Sequence, residues 1–246
     1  MDWTGICGTD DGLTGWSFDG SAVRARLDAE ASRAAPGQVP SDRLLIAGAA
    51  DAPSEAIPAK LTPDALHQAP GGLVLTALQQ AKPLHRLNGA RLKAIGFAAL
   101  NPDWDGTICL PGAVTHWISL SAAEVVFLQS ALTMTLAASL GAAEAVADAD
   151  ALSDSLSRPE RLAATLGSAA VAERRDVALG ALIGAELASA RALWLGQQVA
   201  VVGDGTAATA YRKGLEAQGV PVLQVRGDQA AEKGMLALGT KFGLTR

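Results

Sequence analysis

Residues 199–219 read Val199-Ala200-Val201-Val202-Gly203-Asp204-Gly205-Thr206-Ala207-Ala208-Thr209-Ala210-Tyr211-Arg212-Lys213-Gly214-Leu215-Glu216-Ala217-Gln218-Gly219. Four apolar residues predict a short buried strand, and Gly203-Asp204-Gly205 predicts a tight turn. Thr206 is expected to cap a helix that runs to Gly219, a C-terminal stop. A glycine turn that leads from a strand into a helix N-terminus presents bare backbone N–H groups to an anionic ligand. One reading is therefore a site for a nucleotide or another phosphorylated ligand; the other is an ordinary strand-to-helix connection. The spacing matches neither the P-loop nor the G-x-G-x-x-G dinucleotide fingerprint.

Working outward, 246 residues suffice for one large domain or two modest ones. Hydrophobic residues make up 49% of the chain but aromatics only 4%. Ala, Leu and Val therefore carry the core, which suggests helices packed closely on sheets. The net charge of −5, with scattered basic residues, argues against a nucleic-acid partner. Cys7 and Cys109 lie far apart, show no metal spacing and imply no disulfide framework, so a reducing cytoplasm is the expected compartment. Met1-Asp2-Trp3 does not begin a signal peptide, and the apolar stretch 177–195 is interrupted by Glu186 and Arg191, so no membrane span is expected.

The first thirty residues alternate like a meander, with strands at 4–7, 13–18 and 23–27, followed by a helix at 28–34 before Pro36-Gly37. A buried strand is expected at 44–47, then a Pro- and Ala-rich loop to Pro58 and a weak pattern over 63–80. A helix at 87–100 precedes a second strand–turn–strand, 107–110 and 116–120 around Pro111-Gly112. Ser121-x-x-Glu124 fits a capping box, but Val125, Val126 and Phe127 favour a strand at 124–129, with a helix from Ala131 to about Ala143. Ser157-Arg158-Pro159-Glu160 predicts a helix start. A long helix follows over 174–195, whose Gly180 and Gly184 mark a close-packing face. A strand at 220–225 and a helix at 228–238 complete the pattern.

Three blocks resemble the 2-dehydro-3-deoxygalactonokinases, bacterial sugar-acid kinases. Ile6–Gly20 is similar to the family's apolar-D-W-G-[ST]-[ST]-x-L-R-x-W opening. Ile108 to Trp117, with Phe127 to Leu136, is similar to L-P-G-T-H-x-K-W and F-x-T-x-M-T-G-E-L. Leu182-Ile183-Gly184-Ala185-Glu186 with 199–219 is similar to the L-I-G-A-E helix and the nucleotide-side motif. The resemblance implies an α/β, two-lobed actin/hexokinase/Hsp70-like (ribonuclease H-like) fold, with mixed sheets flanked by helices. Lobes at 1–105 and 106–246 would flank a cleft. It also implies ATP with Mg²⁺ as cofactors and transfer of the γ-phosphate to the 6-hydroxyl of 2-dehydro-3-deoxy-D-galactonate. The implied nucleotide contacts are Thr9, Gly112, Thr115, Gly203, Asp204 and Gly205.

This chain departs from the family pattern where polar chemistry is expected. The family's Asp falls on Cys7, its Trp on Gly8, its Gly on Thr9 and its hydroxyl pair on Asp10 and Asp11. Like charges ~4 Å apart repel by roughly 4 kcal/mol at an effective dielectric near 20, so two bare carboxylates would repel phosphate. A bound cation reverses that sign, which makes Asp10 and Asp11 the candidate catalytic and Mg²⁺-ligating pair; the alternative is a solvated acidic turn. The family's Thr, His and Lys fall on Ala113, Val114 and His116, and Thr133-Met134-Thr135 stands for Thr-Gly-Glu. The acidic R-G-E-E segment falls on Asn88-Gly89-Ala90-Arg91.

His116 reads as a structural residue, the two cysteines as small buried hydrophobes, and Glu186 as a carboxylate either paired with an Arg, the preferred reading, or lying at the cleft. Two functions follow: a sugar-acid kinase with a rearranged phosphate site, or a pseudokinase that binds a nucleotide or sugar acid or serves as a partner subunit. The expected partners are small molecules, with a homo-oligomer left open.

Overall fold

The computed structural model describes residues 2–246. The chain begins with β1 (Asp2–Thr9), β2 (Gly12–Asp19), β3 (Ala22–Leu27) and α1 (Ala29–Gln38). Short elements follow: β4 (Leu44–Ala47), β5 (Ser54–Ala56), β6 (Ala59–Lys60), β7 (His67–Ala69), β8 (Gly72–Val74), β9 (Ala77–Gln80) and β10 (His85–Leu87), then α2 (Arg91–Leu100). Next come β11 (Gly106–Leu110), β12 (Thr115–Ser121), β13 (Glu124–Ala131), α3 (Thr133–Ser139), α4 (Ala149–Ser157), α5 (Leu162–Val171), α6 (Arg175–Ser189) and α7 (Arg191–Trp194). The last elements are β14 (Val199–Val202), α8 (Gly205–Glu216), β15 (Val222–Val225) and α9 (Gly227–Lys241). No helix among the described residues is long and apolar enough to cross a membrane.

Two compact units form. The first holds the residues up to Asp105, Leu120–Leu128 and Gly227–Arg246; the second holds Gly106–Ser119 and Gln129–Arg226. The first unit has a six-stranded mixed sheet in the order β3-β2-β1-β4-β8-β7, with β1 antiparallel to β2 and parallel to β4. A small sheet, β10-β9-β5, lies in the same unit. Trp3 and Phe18 stack with ring centroids 4.0 Å apart, which buries most of the aromatic surface of the opening hairpin. Helices α2 and α9 meet backbone to backbone: a Cβ on Gly96 would fall 1.7 Å from the Ala230 carbonyl oxygen, and one on Gly234 would fall 2.1 Å from that of Leu92.

The second unit is built on the strands β15, β14, β11 and β12 in that order, with β11, β14 and β15 parallel. β14 is buried along its whole length, as the unbroken Val-Ala-Val-Val run requires of a central parallel strand. The expected close packing at Gly180 and Gly184 is present. Their Cβ positions would lie 2.3 Å from the Asp148 oxygen and 2.2 Å from the Leu152 oxygen, so α4 crosses α6 with no room for a methyl group.

Several local expectations change. α1 runs through Pro36 to Gln38, because Pro36 sits near the end and only Gly37 and Gln38 follow it; the Val39 N–H closes the helix on Ala35. The stretch expected to be loop or weakly patterned yields the short strands β5 to β9, held by cross-strand pairing rather than by apolar periodicity. Ser157 closes α4 instead of capping a helix; Asp148 is the N-cap, accepting from the Ala151 N–H at 2.9 Å, and Pro159 opens a short 3₁₀ turn ahead of α5. The long helix over 174–195 breaks at Ala190 into α6 and α7. Strand β13 forms at the capping box, reached by a turn in which Ala122 and Ala123 both take positive φ.

Gly184→Ala is expected to lower unfolding stability by about 1–3 kcal/mol, since α4 must shift to admit the methyl group. Urea denaturation checks this, with Gly167→Ala in α5, whose added Cβ meets nothing within 4 Å, as the control that should instead gain up to about 1 kcal/mol from helix propensity.

Candidate functional site

In the second unit β14 runs into Gly203, which approaches the turn after β11: its Cβ position would be 3.3 Å from Pro111 Cδ. The Gly203 N–H donates to the Val225 carbonyl at 3.0 Å. Asp204, not Thr206, holds the N-cap position of α8, with extended backbone, and its carboxylate lies 3.8 Å from Arg226 Nε. Gly205 begins the helix at φ +74°, with open space where a Cβ would be. The Thr206 hydroxyl donates to the Ala143 carbonyl at 3.4 Å. Beyond Glu216, Gly219 turns left-handed and the Val220 N–H returns to Leu215, so the glycine ends the helix as its position predicts.

A cavity of about 450 Å³ lies between α4 and α8. Val146, Ala149 and Leu152 face Thr206, Ala210 and Gly214 across it; Gly205 lies at one side, and the exposed Lys213 and Gln218 add polar groups. Its volume is in the range of small-molecule sites, and its walls are mainly apolar.

The Pro111–Val114 turn is held from α3, where the Thr135 N–H and hydroxyl both donate to the Ala113 carbonyl, at 3.2 and 2.7 Å. Thr115 is fully buried, its hydroxyl 3.2 Å from the Tyr211 hydroxyl. His116 is buried with Nδ1 2.8 Å from the Ser130 hydroxyl. Glu186 has no arginine beside its carboxyl. It accepts instead from Trp117 Nε1 at 2.7 Å and from the Tyr211 hydroxyl at 2.5 Å. Burial pushes its pKa up, and the hydrogen bonds from Thr133, Tyr211 and Trp117 oppose that shift. The chain pattern could not distinguish an arginine from neutral donors, because Trp117 and Tyr211 are remote in sequence.

In the first unit Thr9 pairs with Gly12, so Asp10 and Asp11 form the exposed two-residue tip between β1 and β2. The Asp11 N–H donates to the Thr9 hydroxyl at 3.3 Å, and its carboxylate lies 4.0 Å from Lys93 Nζ. Cys7, where the family has Asp, is buried and donates to the Gly89 carbonyl at 3.6 Å. Burial pushes its thiol up to about 12, so it holds its proton. Cys109 is likewise buried and raised.

Around Cys7 three backbones converge: a Cβ on Gly48 or on Gly89 would fall 1.8 Å from the Gly8 oxygen. Arg91, standing in the acidic segment of the family pattern, is completely buried. Its guanidinium donates to the carbonyls of Leu61 (2.9 Å), Thr76 (2.8 Å) and Lys60 (2.8 Å), and to Glu55 at 3.1 Å. Burial lowers its pKa and Glu55 opposes that shift. Among the described residues no group of three or more His, Cys, Asp or Glu side chains gathers as a cation cage. Mg²⁺ in kinases is commonly held by one or two carboxylates plus substrate phosphates, a role for which Asp10 and Asp11 have the right donor chemistry.

Mixed sheets flanked by helices, in two compact units, define this as an α/β protein. A model of the 2-keto-3-deoxy-galactonokinase family matches residues 39–238, and the chain belongs to that family. A probable 2-dehydro-3-deoxygalactonokinase from Rhizobium meliloti (strain 1021) is 30% identical over 191 residues, covering 67% of this chain and 62% of the relative. The chain thus matches about three-fifths of the length of that relative. The crystal structure of a putative 2-dehydro-3-deoxygalactonokinase from Sinorhizobium meliloti has a TM-score of 0.81 at 23% identity, covering 96% of this chain and 98% of the other. Component A of the (R)-2-hydroxyglutaryl-CoA dehydratase of Acidaminococcus fermentans shares the fold at a TM-score of 0.55 and 10% identity, with 99% of each chain covered.

Arg91→Met is expected to cost about 3–5 kcal/mol in urea unfolding, because several buried acceptors lose their donor at once. A second expectation concerns pH. The folded pKa of Glu186 is raised, so the stability its neutral form supports is complete below the ordinary carboxylate value and is lost as pH rises through the folded value. Glu186→Gln therefore gains stability relative to the unsubstituted protein as pH rises above the ordinary carboxylate range. Paired denaturation curves at rising pH check the sign.

Proposed function

We propose that this chain binds an adenine nucleotide on its second unit and that its phosphoryl transfer to a sugar acid is strongly attenuated. The cavity between α4 and α8, bounded at one side by Gly205, carries the first half of this reading. Its apolar walls suit a purine. Phosphates directed toward the start of α8 would meet the first free N–H groups of the helix. The turn holding Gly112 lies against Gly203, which supports a reading in which both glycine turns line one phosphate chain. Thr115 supports this site from behind, through Tyr211.

Attenuation follows from Cys7 and Arg91. A buried thiol that keeps its proton neither binds Mg²⁺ nor accepts the proton of a sugar hydroxyl. Arg91 is completely buried and turns its guanidinium to backbone carbonyls and Glu55, which keeps it from a substrate carboxylate. Family membership supports 2-dehydro-3-deoxy-D-galactonate as the ancestral acceptor and ATP with Mg²⁺ as the donor. A second reading, an active kinase with Mg²⁺ on Asp10 and Asp11, is favoured by the exposure of that pair at the hairpin tip.

ADP or ATP with Mg²⁺ is expected to raise the unfolding midpoint; ligand at about a hundred times its Kd adds about 2.7 kcal/mol. Thr209→Trp, which fills the cavity from the partly exposed face of α8, should abolish that gain. A flat response in the unsubstituted protein sinks the nucleotide reading. In a coupled ADP-release assay with the sugar acid, turnover should fall well below the roughly 1–100 s⁻¹ usual for kinases. Turnover within that range, lost on joint Asp10→Ala and Asp11→Ala substitution, would establish the second reading instead.

A further inference from the structure

Glu186 is the carboxyl at which the elements around the two glycine turns meet. It is 5% exposed and lies on α6, a helix that contributes nothing to either turn. Its partners come from elsewhere in the second unit. Trp117 lies on β12, just after the Pro111–Val114 turn, and Tyr211 lies on α8, less than two helical turns beyond Gly205. Thr133 opens α3, the helix whose Thr135 holds the Ala113 carbonyl. Thr115, at the end of the same turn, reaches the cluster through the Tyr211 hydroxyl.

We infer that Glu186 is a positioning residue for the nucleotide site, holding the Pro111–Val114 turn, α3 and the first turns of α8 at fixed spacing. The inference rests on the nucleotide reading above. Trp117 Nε1 can only donate, so with no acceptor at Glu186 a buried N–H is stranded. The Tyr211 hydroxyl gives its proton to Glu186 while its oxygen faces Thr115, so the carboxyl orients a relay that ends at the turn. The cluster ties the two turns to each other from inside the unit by hydrogen bonds.

The test uses the full chain and ADP as the probe, titrated calorimetrically against three variants. Tyr211→Phe keeps the ring and removes only the relay hydroxyl. Glu186→Leu removes the acceptor, and Glu186→Gln restores an acceptor for Trp117 and a donor toward Tyr211. Tyr211→Phe and Glu186→Leu should each weaken ADP binding about five- to tenfold, the worth of one buried hydrogen bond, while Glu186→Gln stays within about twofold. Unchanged affinity in both Tyr211→Phe and Glu186→Leu overturns the inference, as does equal loss in the Gln and Leu variants, since a filler role would not distinguish them. If Glu186→Leu does not fold, Tyr211→Phe and Glu186→Gln decide. If the unsubstituted protein does not bind ADP, the nucleotide reading fails separately, and amide exchange decides the positioning role. Tyr211→Phe should then speed exchange at Gly112–Thr115 and Gly205–Ala208 at least about fivefold, with α5 unchanged; equal rates at both sites overturn it.

Discussion

Backbone-to-backbone contact through glycine is the constraint on which the rest of this structure depends. With few aromatics to span gaps, helices must approach until their main chains touch, and each unit has a place where they do. Gly96 and Gly234 admit each other's helix backbone in the first unit; Gly180 and Gly184 admit that of α4 in the second. Close approach maximises dispersion contacts between small side chains, but it leaves no slack. The same closeness governs the first hairpin, where Gly8, Gly48 and Gly89 converge beside Cys7. A family-type Trp at position 8 would need a Cβ 3.3 Å from the Gly48 oxygen and room beyond it, which the junction leaves only if neighbouring backbone gives way.

Two buried polar groups of the first unit serve as internal fastenings. Cys7 faces a carbonyl. Arg91 gathers the segments around Glu55, Lys60 and Thr76, and the worth of that knot lies less in the partly exposed Glu55 than in the carbonyls it satisfies. The surface pair Asp11–Lys93, 4.0 Å apart and partly solvated, contributes little by comparison. The buried charge of Arg91 is therefore invested in the fold.

Much of this was legible in the sequence, and the failures have physical causes. The run Val199–Val202, the glycine turn and the stop at Gly219 were readable because strand, turn and helix signals are local and agree with one another. Gly180 and Gly184 announced their contact by spacing alone. Ser157 and Thr206 misled because capping chemistry marks a helix boundary only to within a residue or two; Arg158 takes the position ahead of Pro159, and Asp204 the one ahead of α8. Strands β5 to β9 were invisible, since two- to four-residue strands are too short for a period to show. The cluster at Glu186 was out of reach for another reason: its members are joined by tertiary contact across about a hundred residues of chain, and an isolated Glu in an apolar helix carries no sign of what will meet it.

The asymmetry between the two units has a thermodynamic logic. A phosphate site made of backbone N–H groups at the start of a helix persists as long as the helix does, because packing along α8 maintains it and no particular side chain is required. A site made of ionised side chains is different. Each buried or half-buried charge costs desolvation unless a partner or ligand compensates it, so losing one carboxylate changes the balance for its neighbours. Once Cys stands in place of the Asp of the first strand, a carboxylate at position 91 would have no metal to share. An arginine bonded to three carbonyls then gives the more stable interior. Under the proposed function, loss of a side-chain-built site and persistence of a backbone-built one would be one consequence of how the two kinds of anion site are maintained.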